Sequence, residues 1–427
     1  MKSRFARLTA ICLTLLLALT VAACGKAEDD AGGGGGGGGG AAGQVKTGPG
    51  VTADSISLLQ LTDLSGVFAP LATAFTQSQE LYWKERNAAG GVCGRQIKLV
   101  NKDAAYDVQK AVSLYRDSEP DVAAVSQVVG SPIIAALLPT FQRDNMLAVA
   151  AAWPPAFLDA KSVAIVGATY DLEAINGIEW LMENKGLKKG DAIGDLYFEG
   201  DFGEGGLVGV KYAAEQFGLR VVEQKIKATD EDMSGAAAKF KREGVKAIWV
   251  TTAPGQLASL AGVAKSSGLN VPIGTNGPVF APQLLKTPVG DTLAETVTVF
   301  NSNATYASDS PAVRKLAGDY EKAYPKGVPQ QAVVTGYSEA QVMNSVLEKA
   351  CENKDLSRQG IIDAFRQLSG VKTEGLVAGD LDFTQVGQAS SKAVFAHDVD
   401  KDAPGGLKTV GEVLNYETAQ NYKRVAE

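Results

Sequence analysis

His397 is the only histidine in the chain, so a catalytic triad or an imidazole metal site would have to be built on it alone. It stands beside Asp398, but no Gly-x-Ser-x-Gly nucleophile turn accompanies it anywhere in the sequence. The run Asp398-Val399-Asp400-Lys401-Asp402 alternates acids as a calcium loop does. It has Ala403 where such a loop needs Gly at its sixth place and Thr409 where it needs Glu at its twelfth, which reads as a solvated turn. The glycines of Gly200 to Gly206 do not follow the Gly-x-Gly-x-x-Gly spacing of a dinucleotide turn. No catalytic residue, metal ligand or cofactor is assigned. What remains is the chemistry of four cysteines and of loops that could hold a small ligand.

Two of those cysteines fall at the N-terminus. Lys2, Arg4 and Arg7 precede an uncharged, largely apolar run from Leu8 to Ala23. This has the order of an export signal and is shorter than the roughly 20 apolar residues of a membrane helix. Val21-Ala22-Ala23-Cys24 resembles the bacterial lipobox, whose Cys becomes the acylated first residue of the mature protein. The alternative is an ordinary signal peptide with a chance Cys. Residues 1–23 are therefore expected as signal peptide. Residues 24–50, with lipidated Cys24 and the nine glycines Gly32 to Gly40, are expected as a disordered tether. Cleavage removes three cations and no anion, moving the net charge from −7 to −10. The expected location is the extracytoplasmic face of the cell membrane. Cys93 and Cys351 are then left over, and a leftover pair outside the cytoplasm reads as a disulfide.

The elements that must carry any site come from the rest of the 427 residues, of which 45 % are apolar and 21 % charged. That length suggests two or three domains, and a pI near 5.1 argues against a nucleic-acid partner. Apolar strands alternate with amphipathic helices: Ser55 to Leu61, then Ala72 to Asn87; Val122 to Val129, then Ile133 to Arg143. The rhythm restarts with a helix over Leu172 to Lys185 and strands at Ala192 to Tyr197 and Ala247 to Thr251. This predicts an α/β fold with mainly parallel, doubly wound sheets. Such sheets bind ligands at the carboxyl ends of their strands. Those ends, among them Thr62 to Gly66, Val129 to Ser131, Ala150 to Pro154 and Thr275 to Gly277, are rich in small residues. Each alone is equally readable as a tight turn.

Several segments together resemble one family. Leu61 to Gly66 resembles the Pro-Leu-Ser-Gly turn of type I periplasmic binding proteins, and Asn87 to Arg95 (NAAGGVCGR) resembles their most specific segment. Val100 to Asp107, Glu199 to Glu204 and Gly336 to Ala340 follow in family order. The chain is similar to solute-binding lipoproteins of ABC transporters for branched-chain amino acids and related molecules. The resemblance implies two Rossmann-like doubly wound lobes joined by three crossover strands. Lobe 1 takes 51–168 plus 301–384 and lobe 2 takes 169–300 plus 385–427. It implies no enzyme activity, a small-molecule ligand, an ABC permease as partner, membrane attachment through the lipid, no nucleic acid, and a monomer. Cys93 and Cys351 both fall in lobe 1 on this map.

Carried over residue by residue, the family's carboxylate contacts fall on Val129, Gly130, Ser131, Ala152 and Trp153, with Leu71 against the ligand. Trp153 is either a core or rim residue or a flat wall for an apolar ligand. On the lobe-2 side Phe202 stands where the family has tyrosine, and Asn276 where it has the carboxylate that pairs with an α-ammonium group. An amide has no charge to offer –NH3+, so the expected ligand is a carboxylate without an amine, an amide or an aromatic acid. A sensor subunit and, less so, an exported enzyme are the alternatives.

Overall fold

A computed structural model of the protein describes residues 45–424. The signal segment, Cys24 and the glycine run lie outside the described residues. Parallel strands covered on both faces carry near-continuous buried runs, as do SISLLQLT at 55–62 and AIGDLYF at 192–198. After β1 (Lys46–Thr47), the strands β2 (Ser55–Thr62), β3 (Gln96–Asp103), β4 (Ala124–Val129), β5 (Ala148–Ala151) and β6 (Val163–Ala164) form one parallel sheet, ordered β3-β2-β4-β5-β6. Helices α1 (Ala69–Ala88), α2 (Val108–Ser118) and α3 (Ser131–Arg143) connect its strands.

Helix α4 (Tyr170–Asn184) opens the second half. Strands β7 (Ala192–Phe198), β8 (Arg220–Ile226), β9 (Ala247–Thr251), β10 (Ile273–Asn276) and β11 (Val297–Asn301) alternate with α5 (Asp201–Phe217), α6 (Ser234–Arg242), α7 (Pro254–Ser267) and α8 (Gly290–Thr296). The chain then returns to the first sheet as α9 (Pro311–Ala323), α10 (Gln331–Glu352), β12 (Asp355–Leu356) and α11 (Arg358–Phe365); α10 packs along α1. Strands β13 (Val394–Val399) and β14 (Leu407–Leu414) and the short α12 (Glu417–Asn421) close the chain on the second sheet, ordered β14-β13-β11-β10-β9-β7-β8. Its strands are parallel as far as β11, and the last two pair antiparallel. The architecture is that of the expected α/β fold with two doubly wound lobes.

Local chemistry sets the helix ends. Asp107, Ser310 and Ser357 cap α2, α9 and α11 by accepting from backbone N–H groups of the first turn. Helices α5 and α7 stop at Gly218 and Gly268, both in the left-handed conformation.

Three passages join the sheets: after Ala164, after Asn301 and before Val394. Two serines tie them together. Ser302 Oγ accepts from Ala168 N at 2.7 Å and donates to Ala393 O at 3.0 Å. Ser390 Oγ accepts from Gly167 N and donates to Ile165 O, both at 2.9 Å. Gly167 has φ +96°, and a Cβ there would stand 2.5 Å from Ser302 Cβ. No larger residue fits that crossing.

Cys93 and Cys351 form a disulfide with their Cα atoms 6.3 Å apart. It pins the C-terminal end of α10 to the turn before β3. Residues 45–50 correct the expected extent of the disordered tether. Lys46–Thr47 pairs with Asp355–Leu356, Lys46 N bonds Lys354 O at 2.9 Å, and Ser57 N bonds Gly50 O at 2.8 Å. Main-chain pairing with a folded partner outweighs the local glycine content. Among the described residues no helix is long and apolar enough to cross a membrane.

Candidate ligand-binding cleft

The carboxyl ends of β2, β4 and β5 face the α4 and α5 region, and two adjoining cavities lie there, one larger than the other. They share the lining residues Leu71, Phe75, Trp153 and Pro278. The smaller cavity is walled by aromatic rings. Phe68 is placed by the β2–α1 loop, where the buried Asp63 accepts from the Phe68 N–H at 2.9 Å and Asp103 holds Leu64 N and Ser65 Oγ. Phe68, Leu71 and Phe75 recur three and four residues apart and so share one helical face.

Rings from both halves meet at the cleft. The Phe68 ring lies 5.0 Å from Tyr106 and 6.1 Å, edge-on, from Phe202. Tyr170 lies 4.9 Å from Phe202 and 5.9 Å from Trp153. The Tyr170 N–H also bonds the Trp153 carbonyl at 2.9 Å, so a backbone link crosses beside the ring contact. Gly130 turns the chain from β4 into α3 at φ +110°, and a Cβ would stand 2.8 Å from a Tyr106 ring carbon.

Of the residues named from the sequence, Val129, Gly130, Ser131, Ala152, Trp153 and Phe202 line the smaller cavity together. Leu71 and Trp153 line both. Ser131 brings a hydroxyl to the first turn of α3, and Pro132 after it has no N–H to donate. Asn276 lines neither cavity. Its Oδ1 accepts from Thr251 Oγ1 at 2.8 Å and Trp249 Nε1 at 3.3 Å, and its Nδ2 donates to Glu173 Oε2 at 2.6 Å and Tyr170 O at 3.2 Å. Its hydrogen-bonding capacity is spent inside the second half of the molecule.

The larger cavity adds polar groups absent from the sequence reading. Asn301 and Gln331 exchange hydrogen bonds, and Gln331 also donates to Asn303 O at 2.8 Å. Gln330 gives its Nε2 to Pro70 O, leaving its Oε1 a buried acceptor without a partner. Among the described residues lining the two cavities, Glu173 is the one carboxyl group, and there is no Lys, Arg or His. Burial pushes Glu173 well above the usual carboxyl range, against the hydrogen bonds from Asn276 and the Gly277 N–H. Burial likewise raises Tyr106 and Tyr170, so both phenols stay neutral. The arrangement can wrap an apolar body and hydrogen-bond a polar end. It offers no cation to an anion and no nucleophile–base pair.

The sequence over residues 55–404 matches the family described as periplasmic binding protein. A fatty acid ABC transporter substrate-binding protein from Thermomonospora curvata is similar in structure, with TM-score 0.86 and 43 % identity over 88 % of this chain and 97 % of that one. A branched-chain amino acid ABC transporter protein from Thermus thermophilus, solved with bound valine, shares the fold at TM-score 0.76 and 16 % identity, over 87 % of this chain and 99 % of that one. The leucine-, isoleucine-, valine-, threonine- and alanine-binding protein of Pseudomonas aeruginosa is 23 % identical over 227 residues, which is 52 % of this chain. The match spans 60 % of that protein's length.

Proposed function

This chain belongs to the periplasmic binding protein family, and we propose that it captures an apolar monocarboxylic acid, of the fatty acid type, for an ABC importer. The observation that carries this reading is the pair of adjoining cavities, the smaller walled by Phe68, Phe75, Tyr106, Trp153, Tyr170 and Phe202, the larger adding the amides of Asn301, Gln330 and Gln331. An alkyl chain laid against those rings leaves water for apolar surface, worth about 0.8 kcal/mol per methylene. The 43 % identical substrate-binding protein, whose name specifies fatty acids, supports the same ligand class. The cleft offers an α-ammonium group no free carboxylate at Asn276, whose amide is consumed by its neighbours.

In this reading the protein works by closure. A ligand that touches α1 and Trp153 on one side and α4 and α5 on the other favours the state in which both contacts exist, and the three passages act as hinge. The closed form is what a permease recognises. In the same reading, acylation at Cys24 attaches the receptor to the membrane.

The test is a thermal-shift panel on residues 45–427. Decanoate at a hundred times its Kd stabilises the protein by about 2.7 kcal/mol. Leucine, valine and 4-hydroxybenzoate are the comparison ligands. A shift with leucine and none with decanoate overturns the proposed ligand class.

A further inference from the structure

The headgroup end of the cleft holds a carboxyl group where an acid-binding site would ordinarily hold a cation. Glu173 sits in the first turn of α4, 3 % exposed, and lines the larger cavity. Its Oε2 accepts from Asn276 Nδ2 at 2.6 Å, and the Gly277 N–H adds a second bond. We propose that Glu173 reads the ligand headgroup as a neutral hydrogen-bond donor, so that a carboxylate is captured with one proton shared between two carboxyl groups. This rests on the apolar-acid reading above and specifies how its head is recognised.

The surroundings leave few other ways to hold an acid. Asp171 on the same helix is the charged neighbour acting on Glu173, and its own carboxyl is engaged by Thr169 Oγ1 and Tyr422. Tyr170 on that helix and Tyr106 across the cleft are neutral phenols. Asn276 at the end of β10 and Gly277 just after it are donors, and β11 presents the neutral Asn301. His397 of β13 is turned away, with Nε2 against Asn303 O and Nδ1 against Thr409 Oγ1. Helices α5 and α12 bring no charged side chain to either cavity among the described residues. Two ionised carboxylates cannot share such a site, whereas an acid–carboxylate pair with one proton between them can. Burial already favours the protonated form of Glu173.

The proton count is simple. While Glu173 is protonated in the free protein, the carboxylate binds without proton exchange and the pair keeps one negative charge. Above the pKa of Glu173 in the free protein, binding takes up one proton, and affinity falls by up to tenfold per pH unit.

The experiment is a calorimetric titration of decanoate from pH 6 to 9, with wild type, Glu173→Gln and Glu173→Ala. Glutamine keeps an oxygen for Asn276 and Gly277 and offers a permanent N–H donor. The proposal expects Glu173→Gln to bind within a few-fold of wild type with a flattened pH profile, and Glu173→Ala to lose at least tenfold. Wild-type affinity is expected to stay level while Glu173 is protonated and to fall with pH above that point, never to rise, which keeps the test decisive if a variant fails to fold. Glu173→Ala binding decanoate as tightly as wild type, or wild-type affinity that rises with pH, overturns the shared proton and leaves the ligand class standing. Tight binding of leucine that Glu173→Gln abolishes, with no decanoate binding at any pH, overturns both: Glu173 would then be an ionised partner for an ammonium group.

Discussion

Trp153 lines both cavities, so a ligand in either one meets it. Truncation to alanine removes the ring contact with Tyr170 as well as the wall. Trp153→Ala should weaken decanoate by about 10- to 100-fold, or roughly 1.5–3 kcal/mol, measured by calorimetry. His397 makes a different prediction. It is wholly buried, and burial lowers its pKa from 6.5 to about 4. Between those values the folded protein binds fewer protons than the unfolded chain, so its contribution is complete above pH 6.5 and is lost as pH falls towards 4. The loss approaches about 3 kcal/mol. Denaturant midpoints measured across that window should fall less steeply in His397→Asn than in wild type.

At the scale of elements, the strand ends do the positioning and the far ends of the helices do the anchoring. Helix α10 begins at Gln331 beside the larger cavity and carries Cys351 close to its other end, about 30 Å away at 1.5 Å per residue. The disulfide therefore serves stability rather than recognition. Cys93→Ser with Cys351→Ser should cost about 2–5 kcal/mol in unfolding free energy and leave the Kd for decanoate within twofold. The β4–α3 turn is the opposite case. Gly130→Ala forces a Cβ against Tyr106 at a backbone angle that L residues avoid. Binding should fall by tenfold or more, with a smaller loss of melting temperature.

The same scale shows what was legible beforehand. The β–α rhythm could be read because the central parallel strands, such as β2, β4 and β7, are buried along nearly their whole length. The family resemblance, applied to the loops at the strand ends, named Val129 to Ser131 and Ala152–Trp153, all of which line the smaller cavity. Phe68 and Phe75 were also within reach, since with Leu71 they repeat at helical spacing directly after a strand-end loop. Glu173 was not. It reaches the cleft only because α4 packs over the end of β10, a contact between segments a hundred residues apart. Asn276 illustrates the limit of reading a strand end alone: its place in the chain is right for a ligand contact, but Thr251, Trp249 and Glu173 take up its amide.

For the whole molecule, the two sheets meet through three passages and a ring cluster, and both must move if the cleft is to open. Ser302 and Ser390 hold the passages in register with four hydrogen bonds to main-chain atoms. On the proposed closure, the passages would act as the hinge, and the ring pairs Phe68–Phe202 and Trp153–Tyr170 would be the contacts that separate or meet. Chain length of the ligand is the variable that probes this arrangement as a unit. The central claim is that the cleft binds an alkyl chain along its aromatic wall. The most direct measurement is a calorimetric series with butanoate, hexanoate, octanoate and decanoate, and with leucine as the reference. Affinity should rise about fourfold per methylene until the cleft is filled, at about 0.8 kcal/mol each, with an increasingly negative heat-capacity change. An affinity independent of chain length, or leucine binding tighter than every acid in the series, would contradict it.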